Sequence, residues 1–164
     1  DFNVHSADGR LLALATSSWL IIDYTTRRIQ RPDSTLIRFN SQQLGGNALP
    51  RNSEKLEPAV QDAQIMSGLR VRVSDLDLNL HTNNARYLKW ITDSYSLDFI
   101  MNHAPVSAEI NYLAESRYNE EIVIRFSREN ENLNAFNHSI VRISDNTELC
   151  RIRIIWKNNH QESK

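Results

Sequence analysis

The C-terminal part of the sequence predicts an α+β domain, and three observations support that fold class. Residues 69–73 alternate between apolar and charged side chains, as a half-buried strand does. The segment that follows has apolar residues at three- and four-residue spacing, which indicates one face of a helix: Leu88, Ile91, Tyr95 and Phe99. Four further alternating segments complete the chain. This order favours an antiparallel sheet wrapped around a long helix.

Local signals predict where these elements begin and end. Residues 82–84 (Thr-Asn-Asn) offer side-chain oxygens that can cap a helix N-terminus, and Pro105 predicts the end of that helix. A turn is expected at residues 145–147, between the last two strands. In the final strand Arg151 and Arg153 alternate with apolar residues, which indicates one buried and one wet face. The four strands are expected at residues 106–112, 122–126, 136–143 and 150–156.

The N-terminal part of the sequence predicts a smaller unit. Residues 1–24 resemble a β-hairpin with a turn at Asp8-Gly9. Residues 41–65 are rich in glycine, proline and polar side chains and indicate a linker. Because the first residues already have the character of a strand, we expect further sequence upstream. The expected division is therefore a first unit at residues 1–40, a linker at 41–65, a second domain at 66–158 and a tail at 159–164.

Composition excludes several classes of function. The 164 residues are 40% hydrophobic and 24% charged, with a net charge of -1. This balance, without a basic stripe carrying interleaved aromatic residues, argues against a nucleic-acid partner. The apolar runs are too short to span a bilayer, so no membrane partner is expected. The one cysteine, Cys150, cannot form an internal disulfide, which favours a reducing compartment, and its position in an alternating strand predicts packing as a small apolar group.

A row of polar residues between the first strand and the helix is the strongest candidate site. It occupies every second position, so in an extended segment its members would point to one side: Asp75, Asp77, Asn79 and His81. Helix capping and turn formation are one interpretation of the row. Acid–base catalysis by the histidine, the amide and the carboxylates is the other.

Metal binding is a poor interpretation of the same row. A calcium loop that begins at Asp75 would need glycine at its sixth position and glutamate at its twelfth, where Leu80 and Arg86 stand. His81 and His103 lack the spacing of a zinc site. The remaining histidines show no partner pattern and are expected at the surface or in packing, and Trp19, Trp90 and Trp156 are expected to pack in a core or between domains.

Residues 75–90 resemble the S-D-L-D-x-N-x-H-x-N-N-x-x-Y-x-x-W signature of acyl-acyl-carrier-protein thioesterases. The resemblance implies that the catalytic residues of that family fall on Asp77, Asn79 and His81. Residues 110–116 resemble the family's L-x-Y-x-x-E-C strand end, which implies a catalytic role for Glu115. Ser116 replaces the cysteine of that pattern, which argues against a cysteine nucleophile and leaves attack by water. Ser116 itself is expected to be a small structural residue.

The resemblance also implies a fold. Residues 15–19 and 26–28 resemble a third family segment, A-T-S-x-W followed by T-R-R, from the first of two tandem hotdog domains. The chain is then expected to hold the last strands of one hotdog and, at residues 66–158, a complete second hotdog with an antiparallel sheet around a central helix. The basic residues Arg27, Arg28 and Arg31 are expected at a solvated edge, with docking of an acidic carrier protein as the alternative.

The function that the resemblance implies is hydrolysis of a fatty acyl thioester on the acyl carrier protein, which ends fatty acid biosynthesis. The expected partner is the acyl carrier protein, no cofactor or metal is expected, and a homodimer is left open. The expected location is the cytoplasm of a bacterium, with a plastid as the alternative. Two other functions stay open: a hotdog thioesterase acting on acyl-coenzyme A, and a hotdog that binds acyl groups without turnover.

Overall fold

The chain divides into two compact units, Asp1–Glu54 and Lys55–Lys164. The boundary falls inside the predicted linker, much of which lies outside the described residues. The computed structural model describes residues 1–23, 25–26, 28–31, 48–50, 54–58, 63–129, 132 and 134–159.

The first unit contains two short antiparallel ribbons. Strands β1 (Phe2–His5) and β2 (Leu11–Ala15) form the predicted hairpin, and Gly9 adopts a φ of 86° in its turn, where a side chain would be strained. Strands β3 (Ile21–Ile22) and β4 (Ile29–Gln30) form the second ribbon. Trp19 is 81% exposed, so the expectation that it packs in a core is wrong. Trp19 lies between β2 and β3 and belongs to neither of these two-stranded ribbons.

The second unit is built on a five-stranded antiparallel sheet in the order β5-β7-β8-β9-β6. The four strands predicted after the helix are confirmed, and β6 lies at one edge, where Val106 and Tyr112 stay exposed. The strands are β5 (Gln64–Arg70), β6 (His103–Tyr112), β7 (Glu121–Arg128), β8 (Ala135–Arg142) and β9 (Glu148–Asn158).

The strand expected at residues 69–73 starts and ends earlier than predicted. After β5 the chain enters a 3-10 turn, Val73–Asp75, instead of continuing as a strand. The Asp75 carboxylate accepts a hydrogen bond from the Arg72 N–H at 2.8 Å, and the Asp75 N–H donates to the Arg72 carbonyl at 3.0 Å. These two bonds close a turn that the apolar–charged alternation cannot reveal.

The single long helix expected from the sequence is two helices. Helix α1 (Asn84–Asp93) begins after the predicted N-cap, where the Asn83 Oδ1 atom accepts a hydrogen bond from the Ala85 N–H. It ends at Ser94, whose hydroxyl donates to the Trp90 carbonyl at 2.7 Å. Helix α2 (Leu97–Asn102) then starts with Ser96 as its N-cap. Pro105 does not end a helix, because it lies within edge strand β6.

Helix α1 packs its apolar face on the sheet and forms the core with it. Tyr87, Trp90 and Ile91 are buried on the helix, and the predicted inward face of β9 is confirmed by buried Ile152, Ile154 and Trp156. Cys150 lies in the same row, and burial raises the pKa of its thiol, as expected for a packing residue. A sheet packed on a helix is the hotdog arrangement that the resemblance implies. Within the described part of the chain, no helix is both long and apolar enough to cross a membrane.

A buried histidine, His138, lies in this core next to Tyr95, which follows just after the end of α1. The Nε2 atom of His138 forms a hydrogen bond with the Tyr95 hydroxyl at 2.7 Å, and its Nδ1 atom lies 3.1 Å from the Ile152 carbonyl oxygen. Burial lowers the pKa of His138 to about 4 and raises the pKa of Tyr95 to about 12. Both rings are therefore neutral at pH 7, and His138 is a packing residue, as expected from the sequence.

The buried His138 predicts acid-sensitive folding of the second unit. Its folded-state pKa lies below the unfolded value of about 6.5, so the unfolded chain binds the proton first and stability is lost as pH falls from 6.5 toward 4. The loss is on the order of 3 kcal/mol. Urea unfolding at about pH 7 and about pH 4.5 should show a smaller loss in His138→Gln than in the wild type. His5→Gln, in exposed β1, is the control, and equal losses in all three proteins would contradict the prediction.

Candidate active site

The row of polar residues predicted between strand and helix does not lie on one side of an extended segment. Asp75 is buried, and its backbone carbonyl accepts a hydrogen bond from the Asn83 N–H at 2.9 Å. It therefore holds the two ends of the segment together and is structural. Asp77, Asn79 and His81 follow in a tight turn, because hydrogen bonds within the segment replace those of a strand.

Asp77 organises this turn. Its Oδ1 atom accepts hydrogen bonds from the Asn79 N–H at 2.8 Å and the His81 N–H at 3.2 Å. Its own N–H donates to the His81 carbonyl at 2.8 Å, and its carbonyl accepts from the Leu80 N–H at 3.1 Å. Leu80 has a φ of 61°, a strained value for a residue with a branched side chain, and the closed turn holds it there. Asp77 therefore fixes the backbone that carries His81.

The structure brings His81 and Glu115 together although they are far apart in sequence. The His81 Nε2 atom lies 3.3 Å from the Glu115 Oε2 atom, with the side chains 19% and 51% exposed. The segments that carry them are paired by an antiparallel bridge between His81 and Arg117. A carboxylate beside a partly exposed imidazole can take a proton from a bound water, which is the requirement for general-base catalysis.

Asn79 lies at the tip of the turn and is not drawn into this pair. Its backbone N–H contacts Asp77, and the residue is exposed between Leu78 and Leu80, which are also exposed. Of the four residues predicted for the site, the structure thus pairs two side chains, His81 and Glu115. Asp77 joins them through the backbone, and Asn79 presents an amide at the surface of the same turn.

Ser116 is enclosed in the protein. It is 0% exposed, its hydroxyl donates to the Thr82 Oγ1 atom at 2.7 Å, and the Tyr87 hydroxyl lies 2.9 Å from its Oγ atom. A hydroxyl in this position cannot reach a thioester carbonyl, which agrees with the expectation that Ser116 is structural. Thr82 and Tyr87 were not predicted from the sequence to take part in this buried contact. The sequence did contain a signal for both residues. Thr82 follows His81 directly, and Tyr87 is the tyrosine of the family motif.

Arg142 holds the backbone of the loop that carries Glu115. The Arg142 Nη1 atom donates to the Glu115 carbonyl at 3.3 Å and to the Glu120 carboxylate at 3.1 Å. Its Nε atom donates to Asp145 at 3.0 Å, within the predicted turn between β8 and β9. The hydrogen bonds to Asp145 and Glu120 raise the pKa of Arg142 above its ordinary value, so the guanidinium stays charged and holds the loop.

A groove of about 340 Å³ beside β5 is separate from this pair. Neither His81 nor Glu115 lines it, and its charged lining residues are Arg70, Arg72, Asp75, Arg86, Lys89 and Asp93. Among the described residues, no group of three or more histidine, cysteine, aspartate and glutamate side chains could hold a metal ion.

Comparison with known proteins places the chain among thioesterases. It is 28% identical to the chloroplastic palmitoyl-acyl carrier protein thioesterase of Gossypium hirsutum, over 97% of this chain and 41% of that protein. The chain thus spans less than half the length of this curated relative. The third segment with family resemblance, residues 15–19 and 26–28, includes Arg27, which lies outside the described residues.

Solved structures share the fold. The 12:0-ACP thioesterase of Umbellularia californica superposes with a TM-score of 0.71 at 20% identity, over 84% of this chain and 53% of that one. A protein of Lactobacillus plantarum, described provisionally as an oleoyl thioesterase, gives a TM-score of 0.71 at 26% identity, over 94% of this chain and 60% of that one. The fold of the chain is therefore the hotdog fold.

The family model that matches is the C-terminal domain of acyl-ACP thioesterases. The match covers residues 59–158, which is more than half of the chain and includes the turn of Asp77, the pair of His81 and Glu115, and the whole five-stranded sheet. The chain therefore belongs to the acyl-ACP thioesterase family.

Proposed function

We propose that the protein hydrolyses a fatty acyl thioester of the acyl carrier protein, releasing a free fatty acid and the carrier thiol and so ending fatty acid synthesis. The observation that carries the proposal is the 3.3 Å separation of His81 Nε2 and Glu115 Oε2 at the surface of the domain. Family membership and the names of the relatives support the choice of a carrier-protein thioester as substrate.

In the proposed mechanism, His81 and Glu115 activate a water molecule. One of them takes a proton from the water as its oxygen attacks the thioester carbonyl. The tetrahedral intermediate then collapses, the carbon–sulfur bond breaks, and the proton passes to the leaving thiolate. The exposed amide of Asn79 is suited to hold the water or the carbonyl oxygen by a hydrogen bond.

Asp77 acts in this mechanism through the backbone. Its carboxylate accepts the N–H groups of Asn79 and His81, so it fixes the direction in which both side chains leave the turn. Helix α1 begins directly after this segment, and its N-terminal N–H groups favour negative charge nearby. The start of α1 is therefore a candidate for stabilising a developing oxyanion in the proposed mechanism.

Residues 66–158 form the catalytic hotdog in this proposal, and residues 1–40 correspond to the last strands of a preceding one. The proposed partner is the acyl carrier protein. The proposed location is the cytoplasm of a bacterium, with a plastid as the alternative that the chloroplastic relative of Gossypium hirsutum supports.

The first test is thiol release from acyl carrier protein and from acyl-coenzyme A loaded with the same fatty acid. We expect faster turnover of the carrier-protein thioester, and a fall in kcat of at least about 100-fold in His81→Ala and in Glu115→Ala, since each removes an acid–base group. His5→Ala and Glu57→Ala, at exposed positions outside the site, are the matched controls.

Other outcomes of this assay have defined meanings. If acyl-coenzyme A is turned over as fast as the carrier-protein thioester or faster, the proposed substrate is wrong and the enzyme is an acyl-coenzyme A thioesterase. Binding of a fatty acid by the folded protein without turnover of either thioester would identify an acyl-binding module and refute the enzyme. Unchanged turnover in His81→Ala would refute the mechanism.

The backbone role of Asp77 predicts different effects for two substitutions. Asp77→Asn retains an Oδ1 acceptor for the N–H groups of Asn79 and His81, whereas Asp77→Ala leaves both without it. We expect amide hydrogen exchange at residues 79–81 to accelerate by about tenfold or more in Asp77→Ala, and to change little in Asp77→Asn. Equal acceleration in both variants would show that the charge, and not the acceptor geometry, holds the turn.

A further inference from the structure

The two segments that carry His81 and Glu115 are joined immediately behind the pair. Thr82 follows His81 and Ser116 follows Glu115, and these two residues are linked twice. The Thr82 N–H donates to the Ser116 carbonyl at 2.9 Å, and the Ser116 hydroxyl donates to the Thr82 Oγ1 atom at 2.7 Å. Each member of the pair is therefore one residue away from the same double link.

The link is buried and extends to a third hydroxyl group. Because Ser116 donates its proton to Thr82, its Oγ atom accepts the hydrogen bond from the Tyr87 hydroxyl at 2.9 Å. Thr82, Tyr87 and Ser116 are all buried, and burial raises the pKa of Tyr87, so that hydroxyl remains a donor. Buried hydroxyl groups that all have hydrogen-bond partners hold a defined geometry, because the loss of one group leaves its neighbours without a partner.

The contact between His81 and Glu115 is too exposed to hold its own geometry. The Glu115 side chain is 51% exposed, and a solvent-exposed contact between side chains contributes little to holding a geometry. The backbone of Glu115 is therefore a further determinant of the position of its carboxylate. Ser116, the next residue, fixes that backbone, and the bond from Arg142 to the Glu115 carbonyl holds the peptide unit that joins the two residues.

We propose that Thr82 and Ser116 are positioning residues, whose buried hydroxyl link sets the distance between the His81 imidazole and the Glu115 carboxylate. This inference rests on the proposed function of that pair as the general base. Neither hydroxyl touches the substrate. Their contribution is to keep two side chains from distant segments at the separation that proton transfer requires, where a displacement of about 1 Å can cost up to about 100-fold in rate.

The first arm of the test measures kcat and KM on the acyl carrier protein thioester with the full chain. We expect Ser116→Ala and Thr82→Val to lower kcat about tenfold with little change in KM, and Thr82→Ser to recover most of what Thr82→Val loses. Ser139→Ala is the matched control. Ser139 is also buried and donates one hydrogen bond, to Glu148 at 2.7 Å, away from the site. A similar loss of kcat in Ser139→Ala would show that the lower kcat of the other variants comes from lost stability, and it would overturn the proposal.

The second arm separates positioning from a general structural role. If Ser116 acts through Glu115, Ser116→Ala should cost little further activity in a Glu115→Gln background. Additive losses in the double variant would overturn the proposal. A fluorophosphonate probe that labels Ser116 would also overturn it, because labelling would show an accessible nucleophile.

The third arm does not depend on turnover, so it distinguishes failure of this inference from failure of the proposed function. The imidazole resonances of His81, assigned by their absence in His81→Ala, should shift on Glu115→Gln in the wild-type background. The same substitution should produce a clearly smaller shift in the Ser116→Ala background and an undiminished one in Ser139→Ala. An equal shift in all three backgrounds would overturn the positioning role, whether or not the protein hydrolyses thioesters.

Discussion

Burial of one face of α1 on the five-stranded sheet is the constraint on which the rest of the second unit depends. Tyr87, Trp90 and Ile91 are all buried there, and each large apolar side chain removed from water contributes about 1.5–3 kcal/mol. Because the helix begins at Asn84, its docking also fixes the end of the preceding turn. The position of His81 is therefore a consequence of how the helix packs.

Tyr87 connects that core to the site. Its ring packs edge-on against Trp90 and Tyr112, while its hydroxyl reaches the buried Ser116. An aromatic ring with a polar end is suited to this position, since the ring takes part in hydrophobic packing and the hydroxyl finds a partner inside the protein. The packing that stabilises the fold and the hydrogen bonds behind the His81–Glu115 pair thus share one side chain.

The hydrogen bonds of Ser116 give a physical reason for a serine where the family pattern has a cysteine. A serine hydroxyl is a stronger hydrogen-bond donor than a thiol, and here it donates to Thr82 at 2.7 Å. Its enclosure removes it from the chemistry, which leaves the half-exposed Glu115 and the imidazole of His81 as the groups that a water molecule can reach. The burial of Ser116 therefore argues against this residue as a nucleophile in the proposed mechanism.

The sequence by itself determined the fold class, the hairpin at the start and the four late strands, because periodicity and motif are local properties of the chain. It also supplied the residues of the candidate site, whose catalytic roles stay a prediction. It misplaced the limits of the first strand and predicted one helix where Ser94 and Ser96 separate two, since side-chain bonds to the backbone compete with the periodic pattern. Only the tertiary structure decided that His81 and Glu115 meet at 3.3 Å, that Asp75 is structural, and that hydroxyl groups lie behind the pair. The physical reason is that these contacts join segments distant in sequence, and their partners are chosen by the packing of α1 on the sheet.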